Sequence, residues 1–318
     1  MAETRRRNAQ NTARQADSLD PIPAPETHPP EEAPALRVSV ILAGYNRAPA
    51  LRRAIEALER SQDRERLEIL VVDCGSQDES PQLDVDYPGI TMLRLPHNFG
   101  ATKAMNIATR TAKAETLFYL SPDVEVAPDT VTKLAEHLES ETDAAAVGPL
   151  LVDPEGGVRS RVRNIPTREA FAAACRGGEL PGSDLDVTEY SVEVEYPGID
   201  ALMIRKQFIK GMNYFDERFG QFWADADLAV QIRRAQRKIR IYSAIRATLH
   251  PAPDPVGGDS LLAADRAAGA AAFLAKYDGF MAGLSFRIGA ALRALGRFDL
   301  KQFGALVSGQ KLDGSQAG

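Results

Sequence analysis

The run Val38-Ser39-Val40-Ile41-Leu42-Ala43 is short, nearly all apolar, and closed by the polar turn Gly44-Tyr45-Asn46-Arg47. A strand of this make-up is suited to burial on both faces, as in a parallel sheet covered by helices. The chain keeps to that plan downstream. A helix is expected around Ala50 to Arg60, with Leu51, Ile55 and Leu58 at helical spacing, then strands from Glu68 to Asp73 and from Ile90 to Leu95. A helix near Ala101 to Ala112, a strand Thr116 to Leu120, a helix Asp129 to Leu138 after Pro128, and a strand Ala144 to Val147 follow. Strands alternating with helices predict βαβ units and an α/β fold, whose ligand site lies beyond the carboxyl ends of the strands.

The residues at that edge are small and polar. They are Gly44-Tyr45-Asn46-Arg47 after the first strand, Asp73-Cys74-Gly75-Ser76-Gln77-Asp78 after the second, and Ser121-Pro122-Asp123-Val124-Glu125 after the fourth. One such loop reads as ordinary turn chemistry. Three in succession on one edge point to a binding site. With 44% hydrophobic and 26% charged residues the composition is globular, and a net charge of -6 gives no general electrostatic reason to expect nucleic acid. Cys74 and Cys175 stand far apart without a CxxC spacing, which suggests neither a disulfide framework nor a zinc site.

In this order and spacing, these segments resemble the family 2 glycosyltransferases, and more narrowly the bacterial rhamnosyltransferase-like branch. Val38 to Arg47 is similar to the family's opening strand ending in Tyr-Asn-Arg, and Val71 to Ser80 to its Val-Asp-Asn-Gly-Ser-x-Asp-x-Ser loop. Asn98-Phe99-Gly100 with Ala104 and Asn106 matches Asn-x-Gly-x-x-x-Ala-x-Asn, and Leu120 to Asp123 resembles the Leu-Asn-Pro-Asp form of the metal-binding Asp-x-Asp motif. Phe215-Asp216-Glu217-Arg218-Phe219, then Trp223-Ala224-Asp225-Ala226-Asp227-Leu228, looks like the acceptor-side Phe-Asp-Glu-x-Phe and Glu-Asp-x-Asp-Leu, and His250 stands where the family commonly has a histidine. The resemblance runs from about Val38 to His250. It implies the GT-A fold, a Rossmann-like, mostly parallel central sheet flanked by helices, with a nucleoside-diphosphate sugar donor and inversion at the anomeric carbon.

Each requirement of that chemistry has a candidate. Tyr45 could lie against the donor base and Asp73 accept its ring N–H, with Ser76, Asn98, Gly100 and Lys103 completing the donor site. The bland readings are a turn cap for Asp73, a purely structural Asp78 and a solvent-facing Lys103. Asp123 is the expected ligand for Mg²⁺ or Mn²⁺ bridging the diphosphate, with His250 as a second ligand or a simple hydrogen-bonding residue. Asp225 is the candidate base toward the acceptor hydroxyl, with Trp223 and Asp227 on the acceptor side; one of the two aspartates could equally cap the helix they open. Arg161 and Arg163 are further candidates for the diphosphate.

Three positions depart from the family pattern: Gly44 for Thr, Ser121 for Asp or Asn, and Ala224 for Glu. A sugar-nucleotide-binding relative or scaffold that has lost catalysis is therefore the competing reading. A sugar-nucleotide pyrophosphorylase would want a Gly-rich, basic first loop, which Gly44 to Arg47 is not.

Residues 1–35, rich in proline and polar residues, are expected to be a disordered tail; 36–255 form the transferase domain, with a nucleotide-sugar-binding half (36–150) and an acceptor half (151–255). Pro251 to Gly258 reads as a lid or linker, and 256–318 as a helical extension with helices Leu261 to Tyr277 and Phe280 to Phe298. The second is basic and amphipathic, suited either to lie on an anionic bilayer carrying a lipid-linked glycan acceptor or to pack on the catalytic domain. No stretch reaches the roughly 18 to 20 apolar residues of a membrane span and no signal peptide is evident. The expected location is cytoplasmic, at the inner face of the plasma membrane if that helix binds lipid.

Overall fold

The computed structural model describes residues 35–252 and 260–309. The expected disorder of the first residues, up to 34, and the core of the expected linker, 253–259, lie outside the described residues, as do 310–318. In chain order the elements are β1 (Val38–Gly44), α1 (Ala48–Glu59), β2 (Leu67–Asp73), α2 (Leu83–Asp86), β3 (Ile90–Arg94), α3 (Ala101–Thr111), β4 (Thr116–Leu120) and β5 (Val124–Val126). Then come α4 (Thr130–Ser140), β6 (Ala144–Val152), β7 (Arg161–Arg163), α5 (Arg168–Ala174), β8 (Gly182–Asp184), β9 (Ser191–Val194), β10 (Ala201–Arg205) and α6 (Lys206–Gly211). The last are α7 (Ala224–Arg234), β11 (Lys238–Leu249), α8 (Ser260–Tyr277), α9 (Phe280–Gly296) and α10 (Leu300–Ser308).

The main sheet runs β3-β2-β1-β4-β10-β6-β11-β5, with β9 added on β11. Strands β1 to β4 are parallel, and β6 and β11 are parallel to each other; β10 pairs antiparallel with both β4 and β6. The sheet is therefore mostly parallel in direction, and β10 is the reversed strand that joins its two parallel sections. Every residue of β2 is buried, as its apolar run requires when helices cover both faces.

Leu51, Ile55 and Leu58 of α1 are each 0% exposed, packed with Val40, Leu42 and Val71 on one face of the sheet. Burying each such side chain contributes about 1.5–3 kcal/mol. On the other face, Ala104 and Ala108 of α3, Leu228 and Ile232 of α7, and Phe273 and Leu274 of α8 share one core with Ile41, Leu70 and Ile204. Helix α8, with Phe286 of α9, is thus built into this core, whereas Ala305 and Leu306 of α10 pack in a smaller cluster with Leu261 and Ala264. Close approach of α8 and α9 needs Gly283, where a Cβ would stand 2.4 Å from the carbonyl oxygen of Ala271.

Candidate active site

The carboxyl ends of β1, β2 and β4 open into a cleft of ≈ 610 Å³. Six of the candidate residues singled out from the sequence line it: Tyr45, Asn98, Asp123, Arg163, Trp223 and Asp225. Its floor is set by the β1 and β2 turns. Asn46 takes a positive φ of 52°, which Asn tolerates better than most residues; its N–H donates to Ser76 Oγ at 2.8 Å and its Oδ1 accepts from Gln77 N–H at 2.8 Å. Ser76 thus ties two loops together instead of lining the cleft. Asp73 is 2% exposed, and among the described residues its partner is the Ser76 N–H, 3.3 Å from each carboxylate oxygen. Two bonds of that length leave most of a carboxylate's accepting capacity unused. Asp78 caps α1, accepting from Ala48 N–H and Ser80 N–H at 2.9 Å each, which is the structural role considered for it.

The Asn98-to-Asn106 motif is mainly architectural. Gly100 stands at φ +83°, where a Cβ would come within 2.8 Å of the Gly220 carbonyl carbon, and its N–H donates to Asn98 Oδ1 at 3.0 Å. Asn106 is fully buried and clamps Phe215 through both backbone groups, N–H to Oδ1 at 3.0 Å and Nδ2 to C=O at 2.9 Å. Lys103 lies over the Phe99 ring, 4.1 Å from its centroid, and is not part of the cleft lining.

Asp123 is 7% exposed and its Oδ1 is ion-paired with Arg47. Ser121 Oγ accepts from Asp123 N–H at 3.3 Å, so the serine does the turn work expected of an Asn at that position. His250 follows β11 directly; its N–H donates to the Asp123 carbonyl at 2.9 Å, but its ring Nε2 lies 2.9 Å from Glu125 Oε2. The pairing of β11 with β5 puts His250 opposite Asp123 and diagonal to Glu125, and Glu125 takes the ring. The pair Asp123 and His250 is therefore not assembled as a ligand set, and among the described residues no group of three acidic, His or Cys side chains could hold a metal. One carboxylate suits a cation that arrives with a diphosphate supplying further oxygen ligands.

At the opposite wall, Trp223 enters α7 with φ 77°, a strained conformation held by its indole N–H bonding the Arg266 carbonyl at 2.8 Å and by edge packing on Phe171. Two residues on, Asp225 Oδ1 accepts from Ala226 N–H at 2.9 Å, and Oδ2 accepts from Tyr196 OH at 2.8 Å. Burial raises the Asp225 carboxyl above its ordinary range, partly offset by the Tyr196 hydroxyl. Asp200 shares the cleft; enclosure and the nearby Asp225 raise its carboxyl too, partly offset by Arg163.

Asp227 corrects the acceptor-side expectation. It is 1% exposed and faces α8, bonded by Tyr277 OH at 2.5 Å and Lys276 Nζ at 2.7 Å. Two residues along a helix differ in direction by roughly 200°, so Asp225 and Asp227 cannot share a face. Arg161 also turns away, to Glu179 and the Gly182 carbonyl, while Arg163 lines the cleft. Tyr196, Asp200, Leu262 and Arg266 are cleft residues that the sequence did not flag. A second hollow of ≈ 600 Å³ beside α6 and α7 gathers Arg205, Arg234 and Arg237, but backbone carbonyls and the Tyr277 ring occupy these cations, and it is assigned no role.

A mostly parallel sheet with a carboxylate-lined cleft at its strand ends is the GT-A arrangement, and comparison with known proteins agrees. The model of Glycosyl transferase family 2 matches residues 39–210, more than half of the chain. The chain belongs to that family. It is 26% identical over 247 residues to the N-acetylglucosaminyl-diphospho-decaprenol L-rhamnosyltransferase of Mycobacterium tuberculosis, covering 69% of this chain and 78% of that protein. Among solved structures it is similar to GalNAc-T7 with UDP, GalNAc and Mn²⁺ (TM-score 0.56, 16% identity, 69% of this chain and 45% of that one). It is similar also to the mannosyltransferase PcManGT of Pyrobaculum calidifontis with GDP-Man and Mn²⁺ (TM-score 0.51, 16% identity, 94% and 91% covered). At those identities the structures speak for the fold.

Proposed function

We propose that the protein is an active, inverting transferase that moves a sugar from a nucleoside-diphosphate donor to a hydroxyl of a lipid-linked glycan in polysaccharide or glycolipid assembly. The observation that carries this reading is the Asp225 carboxylate, fixed at both oxygens and facing a cleft whose other wall holds Asp123. Asp225 takes the acceptor hydroxyl proton as the oxygen attacks the anomeric carbon from the face opposite the leaving diphosphate. Its burial makes it a stronger base than a solvated aspartate. Tyr45 and the under-used Asp73 carboxylate receive the nucleobase, and the Gly100 turn brings α3 up beneath the donor. Asp123 would hold Mg²⁺ or Mn²⁺, which would supply positive charge to the leaving diphosphate, and Arg47, ion-paired with Asp123, stands at the same wall. Rhamnose is the sugar suggested by the mycobacterial relative, whose name specifies a rhamnosyl transfer and an N-acetylglucosaminyl-diphospho-decaprenol, and a deoxythymidine carrier is what the resemblance to the rhamnosyltransferase-like branch implies.

No helix among the described residues is long and apolar enough to cross a membrane. Contact with the cytoplasmic face of a bilayer is assigned to α9, where Met281, Ile288, Leu292 and Leu295 are exposed at helical spacing and no acidic residue is present. The reaction is tested by incubating the protein with a panel of nucleotide sugars, a glycosyl diphospho-lipid and Mn²⁺, and reading the anomeric configuration of any product by NMR. An inverted product supports the proposal. Hydrolysis alone, or a retained anomer, contradicts it.

A further inference from the structure

Asp200 brings another carboxylate into the cleft, beside Asp225. It stands just before β10, where the pairing of Ala201 with Leu120 sets it opposite Ser121, and the Ser121 N–H donates to its carbonyl at 2.7 Å. Residues directly opposite on antiparallel strands turn their side chains to the same face, and both of these line the cleft. Asp200 is thus tied to the loop of Asp123 on one side and neighbours Asp225 on the other. A Cβ on Gly198 would stand 3.6 Å from Asp200 Oδ2, 3.7 Å from Arg163 Nη1 and 4.0 Å from Asp225 Oδ2, so three charged groups surround one spot that the glycine leaves open.

The two carboxylates are committed differently. Asp225 is bonded at both oxygens, whereas among the described residues no N–H or O–H bonds the Asp200 carboxylate, and its side chain is exposed in the cleft. An ionised carboxylate has about four accepting positions and can take two neighbouring sugar hydroxyls, one on each oxygen. A cation is the poorer occupant, because the Arg163 guanidinium stands at the same spot and would repel it. The sugar to be transferred must lie between the diphosphate at Asp123 and the base at Asp225, and Asp200 is within electrostatic reach of both. We infer that Asp200 is a specificity-determining residue for the donor, its carboxylate accepting hydrogen bonds from hydroxyls of the transferred sugar and selecting sugars by the presence and configuration of those hydroxyls. This deepens the proposed transfer and rests on it for the place of the sugar.

Trp223 is the chain's single tryptophan and lines the same cleft, so its fluorescence reads binding there without turnover. The full chain is titrated, with Mn²⁺ present, with matched pairs of uridine, guanosine and deoxythymidine diphosphate sugars that differ at one hydroxyl, inverted or removed, and with each nucleoside diphosphate alone. On the preferred nucleotide, wild type should favour one member of a pair by about 10- to 100-fold. Asp200→Ala should bring that ratio close to one, with nucleoside diphosphate affinity and melting temperature unchanged, and Asp200→Asn, which keeps one accepting oxygen, should retain part of it. An unchanged ratio in Asp200→Ala, or no discrimination by wild type, overturns the assignment. So does a fall in nucleoside diphosphate affinity in Asp200→Ala, which would make Asp200 a metal or phosphate residue instead. Sugar-selective binding that depends on Asp200, with no sugar transferred to a glycosyl diphospho-lipid, would refute the transferase reading and leave the assignment standing.

Discussion

Tyr196 donates its hydroxyl to Oδ2 of Asp225 at 2.8 Å, from the segment before β10 to the first turn of α7. This bond stabilises the ionised carboxylate, whereas burial disfavours it. The base is active only when unprotonated, so transfer should fall as pH drops through its raised pKa. Tyr196→Phe removes the lowering influence, and the acid limb of the kcat profile should move to higher pH while the plateau rate is largely kept. A Tyr196 that served packing alone would lower the rate at every pH and leave the limb in place.

Gly100→Ala should cost about 1–3 kcal/mol of stability, because its backbone conformation is one that only glycine adopts readily and the added Cβ meets the Gly220 backbone. Denaturant unfolding measures it, and an unchanged midpoint would show that the turn relaxes.

Asp227→Ala should destabilise the fold by about 2–3 kcal/mol, less than a fully buried pair because Lys276 is 23% exposed and keeps Asp216. At permissive temperature kcat should stay near wild type. A large loss of kcat with normal stability would return Asp227 to the acceptor site.

Leu292→Asp places a charge in the exposed apolar stripe of α9 at a residue that is 60% exposed. Co-sedimentation with phosphatidylglycerol vesicles should fall about tenfold, with the melting temperature unchanged. Equal sedimentation of wild type and variant would remove α9 from membrane contact.

Much of the donor half was legible because its signals are local. Val38 to Ala43 and Glu68 to Asp73 are apolar runs ended by polar turns, and in the structure they are neighbouring parallel strands with those turns at one edge. The acceptor wall depends on contacts between distant segments. Tyr196 and Asp200 reach the cleft because β10 inserts antiparallel beside β4, where Ser121 N–H bonds the Asp200 carbonyl at 2.7 Å. Nothing in the irregular stretch before β10 announces that pairing. Arg266 lies in a helix read as an extension, which the Trp223 indole bond to the Arg266 carbonyl and the Gln221 N–H bond to Asp265 tie to the site. Of the structural and acceptor-side roles open to Asp227, the buried contacts with Tyr277 and Lys276 favour the structural one, and helical geometry alone separates it from Asp225. His250, expected as a second metal ligand or a simple hydrogen-bonding residue, takes the second role with Glu125, because competition from Glu125 depends on cross-strand register, which one sequence does not reveal.

The central claim is that Asp225 is the base, and Asp225→Asn tests it most directly, with sugar transfer and donor-induced quenching of Trp223 measured on the same preparation. Transfer should fall about 10²–10⁴-fold, with donor affinity within about twofold of wild type. A variant that transfers sugar at the wild-type rate would contradict it.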